Sequence, residues 1–177
     1  MGYCLLEEAS MNFQNKNFPL QIFRAYDIRG KISFLTPELV KAIAYGLVTQ
    51  YQKAGQVQIA IGYDARLTSP QYAEIIKQVC DDHGLKATVI GCCSTPLLYF
   101  IARQFGGNGI MLTASHNPKT DNGIKWILQS EPPSPEMIQE VAATANTVFE
   151  PTEKIIVLPI EHQVVFKYCL EYQQSLL

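Results

Sequence analysis

Four short apolar runs limit the folds open to this chain: VQIAIG at 57–62, ATVIG at 87–91, GIMLTA at 109–114 and GIKWIL at 123–128. Each has the length and the glycine punctuation of a buried strand. Helical patterns separate the first three. From Thr36, suited to an N-cap, and Pro37, suited to a first turn, Leu39, Val40, Ile43, Ala44, Leu47 and Val48 recur at helical spacing until Gly55. Ser69 and Pro70 open a second helix, carried by Tyr72, Ala73, Ile76, Val79 and Cys80 and ended by His83 and Gly84. Thr95 and Pro96 start a third, which stops at Gly106 and Gly107. Strands alternating with helices through short loops predict a parallel sheet with helices on both faces. The last interval breaks that rule. Only about eight residues separate GIMLTA from GIKWIL, too few for a crossover helix, so those two strands are antiparallel neighbours. The expected fold is α/β: a three-layer α/β/α domain with a four-stranded mixed sheet, the last strand antiparallel.

The chain has 177 residues, enough for one well-packed domain and short for two. Residues 1–20 are polar and patternless, a disordered lead-in in which Met11 is an alternative start. Residues 21–150 form the domain, including the polar bridge SEPPSP and a fourth helix near 135–147. In residues 151–177 the pattern changes to an extended segment, IIVLP, and an amphipathic helix, HQVVFKYCLEYQQSLL. That helix reaches the last residue without a glycine cap, and it reads as a linker and the first helix of a further domain.

Composition removes several functional classes. Net charge is −2 and no block of lysines and arginines occurs, which argues against nucleic acid and anionic membranes as main partners. Five scattered cysteines make neither a disulfide scaffold nor a CxxC zinc motif; small apolar residues in a reducing compartment are the simpler reading. The start has no signal-peptide run, Leu6 stands where myristoylation wants Ser or Thr, and no stretch has the roughly twenty apolar residues a bilayer span needs. The expected location is cytoplasmic. Charged residues are 17 %, below the usual quarter, so part of the surface is expected to be apolar.

Chemistry concentrates in TASHNPKTDNGIKW, residues 113–126. Ser115 follows the third run and Lys125 lies near the start of the fourth, so antiparallel pairing can bring them together. Asn117 followed by Pro118 forbids helix and keeps Ser115 and His116 in a strand-end loop, where ligands of open α/β sheets bind. Ser115 has three readings. It is a plain loop serine, a hydrolase nucleophile (though no G-x-S-x-G is present), or a phosphate carrier. The third makes chemical sense, because a serine phosphate is an alkyl phosphomonoester like a sugar 6-phosphate, and exchange between them is nearly balanced. His116 is either a loop hydrogen-bonding residue or a catalyst. Lys125 is a solvated edge charge or a proton-transfer group. A second cluster, FRAYDIRG at 23–30, holds Arg24, Tyr26, Asp27 and Arg29 before Gly30, and suits phosphate recognition or a surface salt bridge. In a third, GYDARLTSP at 62–70, Asp64 and Arg66 read as bracing their own loop.

Together, FRAYDIRG, GYDARLTSP and GIMLTASHNPKTDNGIKW resemble the first domain of the α-D-phosphohexomutases in order and spacing, over roughly residues 21–150. FRAYDIRG looks like the phosphomannomutase/phosphoglucomutase branch. The resemblance implies that Ser115 is phosphorylated in the active enzyme and exchanges phosphate with a hexose phosphate, mannose or glucose 1- or 6-phosphate, through a 1,6-bisphosphate. It further implies acid–base roles for Lys125 and Arg29, and site-shaping roles for Tyr26, His116 and Asn117. A Mg²⁺ would take one ligand from the Ser115 phosphate. Family members have four domains, and their aspartate-rich DGDGDR-like metal loop has no counterpart here. The resemblance therefore implies a serine-bearing domain that is inactive without the missing domains as partners. The alternative is a non-catalytic protein that binds phosphosugars or serves as a docking module.

Overall fold

In the computed structural model, which describes residues 18–150 and 166–175, each of the four apolar runs at 57–62, 87–91, 109–114 and 123–128 overlaps a strand. The order is β1 (Ile28–Lys31), α1 (Pro37–Lys53), β2 (Gln58–Tyr63), α2 (Ser69–Asp82), β3 (Lys86–Cys92), α3 (Thr95–Ala102), β4 (Gly109–Leu112), β5 (Asp121–Ile127), α4 (Pro135–Val148) and α5 (Phe166–Ser175). The helices begin where side chains satisfy orphan amides. Thr36 Oγ1 accepts the Leu39 N–H at 3.4 Å, Ser94 Oγ that of Leu97 at 3.4 Å, and Ser134 Oγ that of Met137 at 3.3 Å. In each case a proline follows in the first turn, where its missing N–H costs nothing.

The sheet has five strands, in the order β1-β5-β4-β2-β3. β2 runs parallel to β3 and β4, and β5 runs antiparallel to both β4 and β1. β5 is thus the one reversed strand, as its short connection requires. The strand missing from the four-stranded expectation is β1. Its sequence, IRGK, has one apolar residue and no alternation to read; pairing along β5, from Ile28 opposite Ile124 to Lys31 opposite Asp121, makes it a strand.

Alternation along the strands divides the interior in two. Ile28, Ile59, Ile61, Ile110, Leu112, Ile124 and Trp126 face α1, α2 and α4 in the larger core. Ala60, Ile90 and Met111 face the other way, under Leu97, Leu98 and Ile101 of α3. Tyr51 joins helix to sheet: its buried hydroxyl lies 2.9 Å from the Ile127 carbonyl and 3.2 Å from that of Gly109. At the periphery Phe18 stacks on Phe23 at 5.5 Å, and Tyr172 of α5 meets Phe100 of α3 at 5.4 Å. Residues 1–17 of the expected lead-in, and the IIVLP segment, lie outside the described residues. No helix among the described residues is long and apolar enough to cross a membrane, and Cys80, Cys92 and Cys93 are free thiols.

One buried acid makes stability depend on pH. Glu74 on α2 is 8 % exposed and its Oε2 has no partner among the described residues. Burial pushes its carboxyl up, Lys77 pulls it down, and Asp81 adds to the rise. Below the unfolded-state value both states are protonated and folding carries no penalty. As pH rises through the raised folded value, the native state must ionise a buried group, and stability is lost. Glu74→Gln is expected to melt above the parent at pH 7 and level with it near pH 4. An equal advantage at both pH values would show that ionisation is not the cause.

Candidate active site

The serine loop begins where β4 stops. The Thr113 N–H still follows the sheet, donating to the Gly123 carbonyl at 2.9 Å. Its hydroxyl then turns the chain away by accepting the Ser115 N–H at 2.9 Å. Ser115 has φ +54°, a left-handed conformation that costs a non-glycine residue roughly 1 kcal/mol. Two turns follow: the Asn117 N–H donates to the Ala114 carbonyl at 3.1 Å and the Asp121 N–H to the Pro118 carbonyl at 3.0 Å. They return the chain to β5. The Ser115 hydroxyl stands exposed at the loop's tip, 3.2 Å from His116 Nδ1.

Beside this loop β1 and β5 place two cations on one face. Arg29 lies opposite Gly123 and Lys125 opposite Met111, both turned away from the larger core. α3 packs over β2 and β4 on that face rather than over the β5–β1 side. Between the cations sits Asp27, only 5 % exposed, paired with the Arg29 guanidinium and 3.3 Å from Lys125 Nζ. Its negative charge reaches α3, where burial first and Asp27 second push the Tyr99 phenol up. Arg29 also donates from Nη1 to Asn117 Oδ1 at 3.2 Å, and Asn117 Nδ2 donates to Asp121 Oδ2 at 2.8 Å. Two cations share the one buried carboxylate, with the Asp121 carboxylate set further off behind Asn117, and the planar Arg29 guanidinium is of a shape that suits phosphate.

The start of β5 is pinned from the opposite face. Asn122 is fully buried; its amide donates to Thr68 Oγ1 at 2.8 Å and Ser69 Oγ at 3.0 Å, and its Oδ1 accepts the Gly123 N–H at 2.8 Å. Arg66, between β2 and α2, holds the outer side of the serine loop through its backbone carbonyls.

Of the residues singled out in the sequence, the fold gathers Ser115, His116, Asn117, Arg29 and Lys125 into one patch. Tyr26 adjoins Asp27 in the chain but is 81 % exposed. Asp27 was legible only as a partner in a surface salt bridge, whereas it is the buried anchor of both cations. The reach of Arg66 to another loop left no local signal, because its acceptors lie about fifty residues further on. Among the described residues no group of three or more His, Cys, Asp or Glu could hold a metal ion. Asp27, Asp64 and Asp121 are all engaged by cations or amides. Ser115 can supply one oxygen to a divalent ion; the described residues do not complete a cage.

Fold and site together define a class: an α/β/α domain that presents one serine hydroxyl and a carboxylate-bridged cation pair at the ends of its strands. The family model described as "Phosphoglucomutase/phosphomannomutase, alpha/beta/alpha domain I" matches residues 20–152. The chain belongs to that family and carries its first domain. A phosphoglucomutase of Neisseria meningitidis is 38 % identical over 129 residues, which cover 72 % of this chain and 28 % of that protein. A phosphomannomutase/phosphoglucomutase of Pseudomonas aeruginosa is 37 % identical over 123 residues, 68 % of this chain and 27 % of that protein. Among solved structures, a phosphoglucomutase/phosphomannomutase family protein of Burkholderia thailandensis superposes with a TM-score of 0.66 at 26 % identity, over 73 % of this chain and 31 % of that one. The region shared with the two named relatives thus spans only 28 % and 27 % of their lengths.

Proposed function

We propose that this chain is the serine-bearing domain of a phosphohexomutase, which interconverts hexose 1- and 6-phosphates through a phosphoserine at Ser115 and a 1,6-bisphosphate. The observation that carries the reading is the exposed Ser115 hydroxyl on a loop tied through Asn117 to Arg29, with Lys125 sharing the same buried carboxylate. In the first half-reaction a sugar hydroxyl oxygen takes the phosphoryl group as the bond from phosphorus to Ser115 Oγ breaks; the sugar hydroxyl loses a proton and the serine oxygen gains one. In the second, Ser115 Oγ takes the other phosphoryl group back as its bond to the sugar oxygen breaks, and the protons move the opposite way. Lys125 and Arg29 serve the sugar's proton and the developing negative charge, and His116 stands within hydrogen-bond reach of Ser115 Oγ. Tyr26 and Asn117 border the space the sugar would enter. The substrate is a hexose phosphate of the mannose or glucose series.

Phosphohexomutases generally use Mg²⁺. A Ser115 phosphate offers the hard oxygen that ion prefers. Its other ligands, and the groups that grip the sugar's far phosphate, would come from domains beyond those described. The isolated chain should therefore turn over neither mannose 1-phosphate nor glucose 1-phosphate, and turnover at an ordinary enzyme rate would overturn that part of the proposal. Peptide mass spectrometry should place any phosphate the chain carries on Ser115. Phosphate on another serine, with Ser115 bare, would sink the assignment.

A further inference from the structure

Arg66 has a role that the motif around it does not announce. It sits in the loop between β2 and α2, with its side chain 14 % exposed, and all five of its guanidinium N–H groups have an acceptor. Nε donates to Asp64 Oδ2 at 3.1 Å. Nη1 donates to the carbonyls of Pro118 at 2.7 Å and Asp121 at 2.9 Å. Nη2 donates to those of Ser115 at 3.0 Å and Asn117 at 2.8 Å. Asp64 is itself fixed: its Oδ1 accepts the Arg66 N–H at 3.1 Å and Ser69 Oγ at 2.8 Å. Four of the five donors therefore meet the backbone of one loop, spanning it from the serine to the first residue of β5.

We infer that Arg66 is the positioning residue of the serine loop: it imposes the loop's shape on Ser115 and is thereby withheld from phosphate. Three features of the loop need such a template. Ser115 is held at φ +54°, which its own side chain does not favour. The carbonyls of residues 115, 117, 118 and 121 have to converge on one point, which backbone dipoles resist without a cation between them. Asn117 has to present Oδ1 to Arg29, and it does so from a peptide whose carbonyl Arg66 grips. A cleft of about 500 Å³, lined by Arg66, Leu67, Asn117 and Lys119, runs along the same side. Although Arg66 lines that cleft, it has no free donor to offer an anion there. Lysine keeps the charge but has three donors and no planar fork, so it cannot replace the four-carbonyl grip. The consequence for catalysis rests on Ser115 being the phosphoryl carrier; the geometry of the clamp does not.

The full 177-residue chain serves for the test. In wild type the Arg66 Nη protons are expected as separate, slowly exchanging NMR signals, because rotation of the guanidinium breaks four hydrogen bonds. Adding inorganic phosphate should leave them in place. In Arg66→Lys the amides of Asn117 and Asp121 should lose protection from hydrogen exchange by roughly tenfold or more, while those of Ala60 and Lys86 in the sheet keep theirs. An arginine that merely stabilises the fold would lower protection across the sheet as well. Averaged Nη signals in wild type, phosphate-dependent shifts of them, or loop protection unchanged in Arg66→Lys would each overturn the inference. The wild-type measurement decides even where the variant fails to fold. None of these readouts uses mutase activity, so absence of phosphate on Ser115 would remove the catalytic consequence and leave the clamp standing.

Discussion

Replacing Gly123 with alanine is expected to lower the melting temperature by roughly 10 °C, the equivalent of about 3 kcal/mol for a chain of this size. An added Cβ would stand 2.6 Å from the Ile28 carbonyl oxygen and 2.8 Å from that of Thr113. Both are backbone atoms, one on β1 and one at the end of β4, so no rotamer change relieves the clash. The strand would have to part from a neighbour on one side or the other. The same Cβ would come within 3.3 Å of Arg29 Cγ, the residue paired opposite. The glycine thus serves the site as well as the sheet, because its missing side chain is the room Arg29 uses to reach Asp27 and Asn117. Thermal unfolding checks the first effect. A variant melting within a degree or two of the parent would show that the sheet edge is more compliant than its contacts indicate.

Asp27→Ala is expected to cost a similar amount, about 3 kcal/mol, for a different reason. The side chains of Arg29 and Lys125 are 18 % and 28 % exposed, and the carboxylate between them is 7 % exposed. Without it two cations face each other with little water to separate them, and breaking a buried pair from one side is among the most destabilising of single changes. Asp27→Asn should lose nearly as much, because it keeps the shape and removes the charge. Adding Lys125→Met to Asp27→Ala should recover part of the loss, since one of the uncompensated charges goes with it. Denaturant unfolding of these three variants and of Lys125→Met alone forms the test. Losses that simply add, with no recovery in the double variant, would mean that Asp27 and Lys125 are not coupled.

How legible the fold was depended on where each signal was written. The runs at 57–62, 87–91, 109–114 and 123–128 became β2 to β5 within a residue or two, because alternation and glycine boundaries are properties of adjacent residues. The helix start at Thr36 and Pro37 was equally local, and the third helix, expected from Thr95 and Pro96, is capped one residue earlier by Ser94. β1 escaped notice because IRGK has almost no hydrophobic pattern; β5, more than ninety residues later, supplies its hydrogen bonds. The site divided in the same way. Ser115, His116 and Asn117 stood together in the chain, and the short link from β4 to β5 promised that Lys125 would return to them.

Residue order alone therefore settled the α/β class, the reversed strand and the motifs that place the chain in the phosphoglucomutase/phosphomannomutase family. Periodicity, capping and loop length act over a few residues and can be read along a line. Pairing across the sheet settled the rest. It turned Asp27 from a surface acid into a shared counter-ion, set Arg29 against Gly123, and closed Arg66 over a loop about fifty residues away. Those contacts form because burying the two apolar faces of one sheet brings distant segments to the same edge, where their charges must find partners.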